Sequence, residues 1–281
     1  MLATNRDAPQ FWELPESTED IFSLFSPADI RRTRDTALEN LETLILAVTS
    51  RLFILRHHPS FPDVEFAPER DALNCIRILT RILPYIYEAE QLQSWEEKFF
   101  WGTRRKRTRY VSSTSCGKNV LTYPRKASLA RNVIFDESPE EQAKLQAAEE
   151  EFEEVKPLAE ELIDTLIDML FFADFTLPRS PGKSKVSYAI WQSGVGCNTS
   201  VGTSKEFESN RIEILRLLLT LTSQSMYLSA TLLPARGVKA ITYIVTCPDK
   251  QVVLSVLCSL LNTVCNTATN IRLDTDILGR R

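Results

Sequence analysis

Three glycines stand shortly before a helical pattern, and a glycine-rich turn at a helix start is a common way to hold phosphate. The stretch WQSGVGCNTSVGTSKEFESNRIEIL begins at Trp191 and contains Gly194, Gly196 and Gly202. A P-loop needs the order G-x-x-x-x-G-K-[ST], whereas here Lys205 follows its hydroxyl residues and no apolar strand precedes the turn. We therefore interpret the stretch as a flexible link, with Ser204 or Ser209 capping the helix that follows.

The other residues with catalytic or metal-binding chemistry form no motif. His57 and His58 are the only histidines, and two adjacent histidines on a helix cannot both face one site. Neither G-x-S-x-G nor H-E-x-x-H is present. The carboxylates fall on charged helix faces, so no pair is singled out for acid–base chemistry. We expect no catalytic residues, no cofactor and no metal, and we interpret the chain as non-enzymatic.

A basic cluster, RRKRTR, is the clearest charged feature. Its candidate contact residues for an anionic lipid or an acidic partner are Arg104, Arg105, Lys106, Arg107 and Arg109. Each basic residue near an anionic membrane contributes about 1 kcal/mol. Two alternatives stay open: a nuclear import signal or nucleic-acid patch, and a solvated linker drawn to the acidic segment that follows. Because the net charge is -4, we expect no nucleic-acid partner.

A second candidate lies downstream of the basic cluster. The tetrapeptide RKAS places two basic residues ahead of Ser128. This spacing fits a kinase that is directed by basic residues, so Ser128 is a candidate phosphorylation site.

The elements that position these residues are predicted to be helices. Glycine is scarce, at 8 of 281 residues, and apolar residues recur every three or four positions behind helix-start signals such as Ser26-Pro27. Pro68, Pro157 and Pro248 stand at or near other starts. No strand–helix alternation is present. We predict an all-α fold, an irregular stack of helical hairpins of the α-solenoid (HEAT/armadillo-like) type, with disordered linkers.

Composition divides the chain into six segments. They are an N-terminal helical region (1–101), a basic flexible linker (102–138), an acidic helical segment (139–172), a loop (173–205), a helical repeat-like region (206–268) and an irregular tail (269–281). Between residues 102 and 135 there are nine basic residues and no acidic ones, and residues 136–164 hold twelve acidic residues and two lysines. Like charge with little apolar surface predicts disorder in the basic linker.

The last strong helical pattern, residues 248–266, carries apolar residues on more than one face. They are Val252, Val253, Leu254, Val256, Leu257, Leu260, Leu261 and Val264. Only fifteen residues follow (267–281), so we predict that this chain exposes apolar surface and self-associates. Two uncharged stretches, 217–235 and 251–271, contain polar residues throughout, and we interpret them as buried helices rather than membrane spans.

Five segments resemble the family of high-temperature-induced dauer-forming proteins, which is related to dymeclin. In order, they are FWELPESTEDIFSLFSPADIRRTRDTALENLETL, LNCIRILTRILPYIYEAE with WEEKFFW, DTLIDMLFFADFTLP, NRIEILRLLLTLTSQSMY and YIVTCPDKQVVLSVLCSLLNTVCN. The resemblance covers most of residues 11–265 and includes no catalytic motif.

The resemblance implies a cytoplasmic protein, peripheral on Golgi and trans-Golgi network membranes. It would act in secretory sorting as a helical scaffold, through protein partners of the trafficking machinery and contacts with an anionic membrane surface. Family members carry a Met-Gly myristoylation start where this chain has Met1-Leu2, and they are much longer. We expect the N-terminal part of a fungal-type member, as a partial product or an altered gene model. A nuclear or cytosolic helical-repeat adaptor that uses the basic linker, and a soluble enzyme, stay open as alternatives.

Overall fold

A computed structural model describes residues 12–107, 133–135, 152–182, 184–231 and 237–278, without the side chains of 106–107, 133–135, 152–153 and 267–278. The helices are α1 (Thr18–Leu24), α2 (Pro27–Thr36), α3 (Leu38–His57), α4 (Glu69–Tyr87), α5 (Gln93–Trp101), α6 (Leu158–Leu170), α7 (Lys205–Thr222), α8 (Lys239–Val245) and α9 (Lys250–Leu278). The strands are β1 (Arg104–Arg107), β2 (Val133–Phe135) and β3 (Phe152–Val155). The predicted all-α helical stack is confirmed.

Serine side chains begin three of the helices. Ser17 and Asp20 form a reciprocal capping box at α1, and Ser26 Oγ accepts a hydrogen bond from the Asp29 amide at α2 (3.2 Å). Ser204 Oγ accepts from the Phe207 amide at α7 (3.2 Å). These bonds satisfy backbone donors that the first turn of a helix leaves free. The predicted caps at Ser26 and Ser204 are confirmed.

One continuous apolar pattern is divided between two helices, α2 and α3. The apolar pattern that begins at Ser26 runs on without a turn signal, yet Ala37 leaves the helical conformation (φ -149°, ψ 57°) between α2 and α3. The break lets α2 pack on α4 separately from α3. Arg34 then donates to the carbonyl of Tyr85 at 2.6 Å, a contact that sequence spacing does not predict.

The core lies around α4, which packs against α1, α2, α3 and α7. The buried helix α6 packs against α3, α5 and α7 and closes the other side. Residues immediately after α6 form an aromatic cluster with Phe61, which contacts Phe172 and Phe175 edge-on. The ring centroids are 5.1 Å apart in each pair. The non-helical link that follows α6 is therefore anchored in the same core as the helices.

A small antiparallel sheet corrects two of the sequence expectations. Strand β1 lies between β2 and β3, so Arg104–Arg107 are ordered where the sequence predicted the start of a flexible linker. Strand β3 replaces helix at Phe152–Val155, inside the segment that was predicted to be helical. The physical reason is that a basic and an acidic strand neutralise each other on pairing. The first part of the predicted acidic helical segment (139–151), like Arg109 and Ser128, lies outside the described residues.

The predicted irregular tail is also corrected. Helix α9 continues to Leu278, whereas the sequence prediction placed irregular structure from residue 269 onward. The amphipathic pattern fades in this part, but neither glycine nor proline interrupts the sequence before Gly279. Backbone propensity therefore allows the helix to continue without a recognisable apolar face.

Candidate functional site

The basic strand β1 is tied to the helical core by its first residue. The Arg104 side chain is only 3% exposed. It forms an ion pair with Glu161 in the first turn of α6, and its Nε donates to the carbonyl of Lys156 at 2.8 Å. Arg104 is therefore a structural residue here, which corrects its expected role as a surface contact for lipid.

Two further residues of the basic strand lie opposite acidic residues in the sheet. In the register with β3, Arg105 lies opposite Glu154 and Lys106 lies opposite Glu153. Opposite charges at directly opposed positions stabilise an antiparallel pair by about 0.2–1 kcal/mol. Of the alternatives kept open from the sequence, this register fits a basic segment drawn to the acidic one. The roles of Arg105, Lys106, Arg107 and Arg109 in lipid or partner contact stay predictions.

The glycine-bearing loop is folded onto the protein rather than freely flexible. Gly194 and Cys197 exchange two backbone hydrogen bonds, at 2.8 and 3.3 Å. The Trp191 ring is buried, and the Arg211 guanidinium lies 4.9 Å from its centroid. Gly194 adopts φ 147° and Gly196 adopts φ 75°, conformations that favour glycine. These glycines shape a tight loop.

The loop is held by four polar side chains on α9, which we call the polar ladder: Ser255, Ser259, Asn262 and Asn266. Ser255 Oγ donates to the Tyr188 carbonyl (3.0 Å), and Ser259 Oγ accepts from the Trp191 amide (3.3 Å). Spaced at four, three and four residues, the ladder occupies one face of the helix.

Asn262 makes the most contacts in the ladder. Its Oδ1 accepts from the Val195 amide at 2.8 Å, and its Nδ2 donates to the carbonyls of Gln192 (2.9 Å) and Val195 (3.2 Å). Asn266 Nδ2 donates to Gln192 Oε1 at 2.7 Å. The polar groups of the loop backbone are thus paired by the helix, as buried polar groups require.

The opposite face of α9 is apolar and faces solvent. Ser259 and Asn262 are 0% and 2% exposed, whereas Leu254, Leu257, Leu261 and Val264 are 59%, 57%, 48% and 67% exposed. We call these four residues the apolar stripe. The amphipathic helix is therefore turned so that its polar face is buried and an apolar face is open. The exposed apolar surface predicted for this helix is confirmed, while self-association stays a prediction.

A buried ionic cluster joins the loop to α3 and α6. Asp168 accepts from Arg56 Nε at 2.7 Å and also from the Tyr188 hydroxyl. Burial, followed by the hydrogen bond to Asp168, raises the pKa of Tyr188 well above its usual value. These groups satisfy one another, so the cluster fixes the start of the loop.

A cleft of about 260 Å³ lies between α5, the Gln224–Tyr227 turn and the start of α8, and its lining includes Glu96, Trp101, Gln224 and Lys239. The Gln224 amide donates to Glu96 Oε1 at 2.6 Å. Across the described parts of the chain, no group of three or more His, Cys, Asp or Glu residues is arranged to hold a metal ion.

Among the described residues, no individual helix combines the length and apolar character that a membrane crossing requires. The pair Lys239–Val245 and Lys250–Asn266 meets the test jointly, but it is bent by 110° at the break.

The sequence contains a signal for the polar ladder that is separate from the hydrophobic periodicity. Serine and asparagine at four-three-four spacing within the uncharged stretch 251–271 mark a second stripe on the helix. Hydrophobic spacing does not detect this stripe, and no local pattern links the glycine loop to the last helix because more than fifty residues separate Gly196 from Ser255.

Comparisons with known proteins agree on one family. The family model described as Hid1, high-temperature-induced dauer-formation protein, matches residues 7–277. The chain is 35% identical to the Ubp5-interacting protein ftp105 of Schizosaccharomyces pombe, over 93% of the chain and 32% of that protein. It is 30% identical to protein HID1 of Homo sapiens, over 91% of the chain and 28% of that protein. The chain thus spans about a third of these relatives. No solved structure matches it.

Proposed function

Because the chain belongs to the Hid1 family of high-temperature-induced dauer-formation proteins, we propose that it is a non-enzymatic scaffold of Golgi and trans-Golgi trafficking. In this role it is cytoplasmic and peripheral on the membrane. It contributes to secretory sorting by binding other proteins. This proposal concerns the activity of full-length family members, and the present chain spans about a third of the length of these relatives.

The observation that carries the scaffold role is the apolar stripe on α9. Its four side chains are about half or more exposed, while the opposite face of the same helix is fixed to the protein by hydrogen bonds. A rigid helix that presents apolar side chains to solvent is typical of a protein-binding surface. The name of the fission yeast relative records an interaction with Ubp5, and by analogy we propose that protein contacts are the activity of this chain as well.

The basic strand supports a secondary role at the membrane surface. Arg104 anchors the strand, so any contact with anionic lipid falls to the basic residues that follow. Their pairing with β3 lowers the charge available, and stable anchoring generally takes two signals. We therefore propose that membrane attachment is weak and that protein contacts dominate.

Imaging of the tagged protein beside Golgi and nuclear markers tests the proposal. We expect Golgi-associated signal that persists when Arg105, Lys106 and Arg107 are changed to Gln, because protein contacts hold the molecule in place. Arg104 is left unchanged in this variant, since its side chain is part of the core. Nuclear signal that disappears in the variant would instead identify the adaptor alternative and overturn the trafficking proposal.

A further inference from the structure

The apolar stripe has the spacing of a helix-pairing seam. Leu254, Leu257, Leu261 and Val264 follow one another at three, four and three residues, the pattern that places side chains along one line of a two-helix coiled coil. With a rise of about 1.5 Å per residue, the stripe is roughly 15 Å long. Ile241 and Val245 on the preceding helix α8 are exposed as well.

The residues beside the stripe are uncharged. In the coiled-coil pattern the flanking positions are Val253, Cys258, Leu260 and Cys265. Charges at these positions normally select a partner and reject a like copy. Here no charged residue occurs from 251 to 271, so two identical stripes meet without electrostatic repulsion.

The same composition disfavours a lipid bilayer as the occupant. Helices that lie on membranes carry lysine and arginine on the polar face and often a large aromatic residue on the apolar face. Residues 251–271 contain none of these, and the polar face of α9 is already bonded to the loop through the ladder.

We propose that the apolar stripe of α9 pairs with the apolar stripe of a second copy of this chain, forming a two-fold dimer. A two-fold interface uses the same patch on both subunits, which suits a surface without charge of either sign. The polar ladder sets the orientation of α9, so the loop at 188–195 holds the pairing face toward solvent. This inference rests on the proposed scaffold role only because it names the partner that binds the scaffold's contact surface. The molecular mass in solution tests the dimer, whereas imaging tests the localisation, so either proposal can fail without the other.

Sedimentation of the full chain over a range of concentrations, for the wild type and two variants, tests the dimer. We expect the wild type to approach twice the monomer mass. In Leu257→Glu the dimer should weaken by about 100-fold or more, because each dimer loses two buried leucines. The matched control is Leu219→Glu on α7, a helical leucine that is 67% exposed outside the stripe, and it should dimerise as the wild type does.

Because Leu257 is exposed, the Leu257→Glu variant should keep the wild-type circular dichroism spectrum. A wild type that stays monomeric at its highest soluble concentration would overturn the proposal, as would a dimer that Leu257→Glu leaves intact. Flotation with uncharged phosphatidylcholine vesicles tests whether the apolar stripe binds lipid instead of a second copy. Vesicle binding by the wild type that Leu257→Glu abolishes would assign the stripe to lipid and would also overturn the dimer.

Discussion

At the scale of single residues, Gly194 allows the loop to approach α9 closely. Its φ of 147° favours glycine, and a Cβ built there would lie 2.5 Å from Oδ1 of Asn262. The same Oδ1 accepts from the Val195 amide. A side chain at position 194 would therefore both strain the backbone and displace the most connected residue of the polar ladder.

Replacing Gly194 by alanine should lower the free energy of unfolding by about 1–3 kcal/mol, since strain and lost hydrogen bonds act together. Gly202→Ala is the matched control, because nothing lies within 4 Å of a Cβ there and its φ is not positive. We expect that control to be neutral or slightly stabilising, by at most about 1 kcal/mol. Urea denaturation measures both, and equal stabilities for the two variants would contradict the close packing of the loop.

The ion pair between Arg104 and Glu161 attaches the small sheet to α6. Arg104 is buried and Glu161 is partly exposed. Removing one partner of such a pair leaves an uncompensated charge, which is more destabilising than the pair itself is stabilising. The accessibility of the Arg104 side chain to a protease should therefore depend on Glu161.

Glu161→Gln should accelerate trypsin cleavage after Arg104 by roughly tenfold, the effect of about 1.4 kcal/mol on local opening. Glu160→Gln, one position earlier in the same turn of α6, is the control and should leave the rate unchanged. Mass spectrometry of the fragments identifies the cleaved bond. Rapid cleavage after Arg104 in the wild type would mean that the strand is as open as the sequence suggested.

At the scale of elements, charge fixes α2 against the end of α4. Glu88 accepts from Arg31 Nε at 2.6 Å and from Arg34 Nη1 at 2.9 Å. The hydrogen bond from Arg31 lowers the pKa of Glu88 below its usual value, partial burial opposes the shift, and Arg34 lowers the pKa further. The ionised carboxylate is thus favoured in the folded state.

The ion pairs of Glu88 with Arg31 and Arg34, which we call the clamp, should make the free energy of unfolding depend on pH. Because the pKa of Glu88 is lowered in the folded state, its contribution is fully present above the unfolded pKa of about 4.3 and is lost as pH falls through the folded value. Glu88→Gln should therefore be less stable than the wild type near neutral pH, with the difference shrinking in acid. Thermal unfolding between neutral pH and pH 3 measures this, and a constant difference would exclude the clamp as the cause.

Helix α9 shows that an element can be oriented by polar contacts. Its buried polar ladder pairs the loop backbone, while its apolar stripe stays open. Leaving the loop groups unpaired would cost about 1–3 kcal/mol for each, comparable to what burying a leucine contributes. Several bonds along one face are thus enough to decide which way the helix turns.

At the scale of the whole molecule, the two strongly charged segments meet in one sheet. The basic strand β1 pairs with the acidic strand β3, and Arg104 ties both to α6. The positive potential that the sequence alone suggested is therefore reduced within the molecule. Attraction to an anionic surface should be weak, and salt should screen it.

Flotation with vesicles that contain phosphatidylserine should show weak binding that decreases with added salt. Changing Arg105, Lys106 and Arg107 to Gln should abolish it, because about 1 kcal/mol is lost for each charge. A control with the same charge change at Arg179, Lys205 and Lys250, which are exposed on other elements, should bind as the wild type does. Binding that survives high salt would point to an apolar anchor.

Most of the helices can be predicted from the sequence, because helix formation depends on neighbours within a few residues. Ser26 and Ser204 start helices through bonds to amides three residues away, and apolar spacing then predicts the helical run. The absence of a P-loop order in the glycine stretch was equally readable. The break at Ala37 was not, since no local pattern marks it and the Arg34 contact that accompanies it lies at the distant end of α4.

The sheet and the orientation of α9 depend on contacts between distant parts of the chain. The pairing of Arg105 with Glu154 joins residues that are far apart in the chain, and no local pattern fixes such a register. The polar ladder likewise forms hydrogen bonds with the backbone of a loop that lies about seventy residues earlier in the chain. Hydrophobic periodicity assumes that apolar faces turn inward. Here the amides and carbonyls of the loop required partners, and Asn262 supplies them from the polar face of α9.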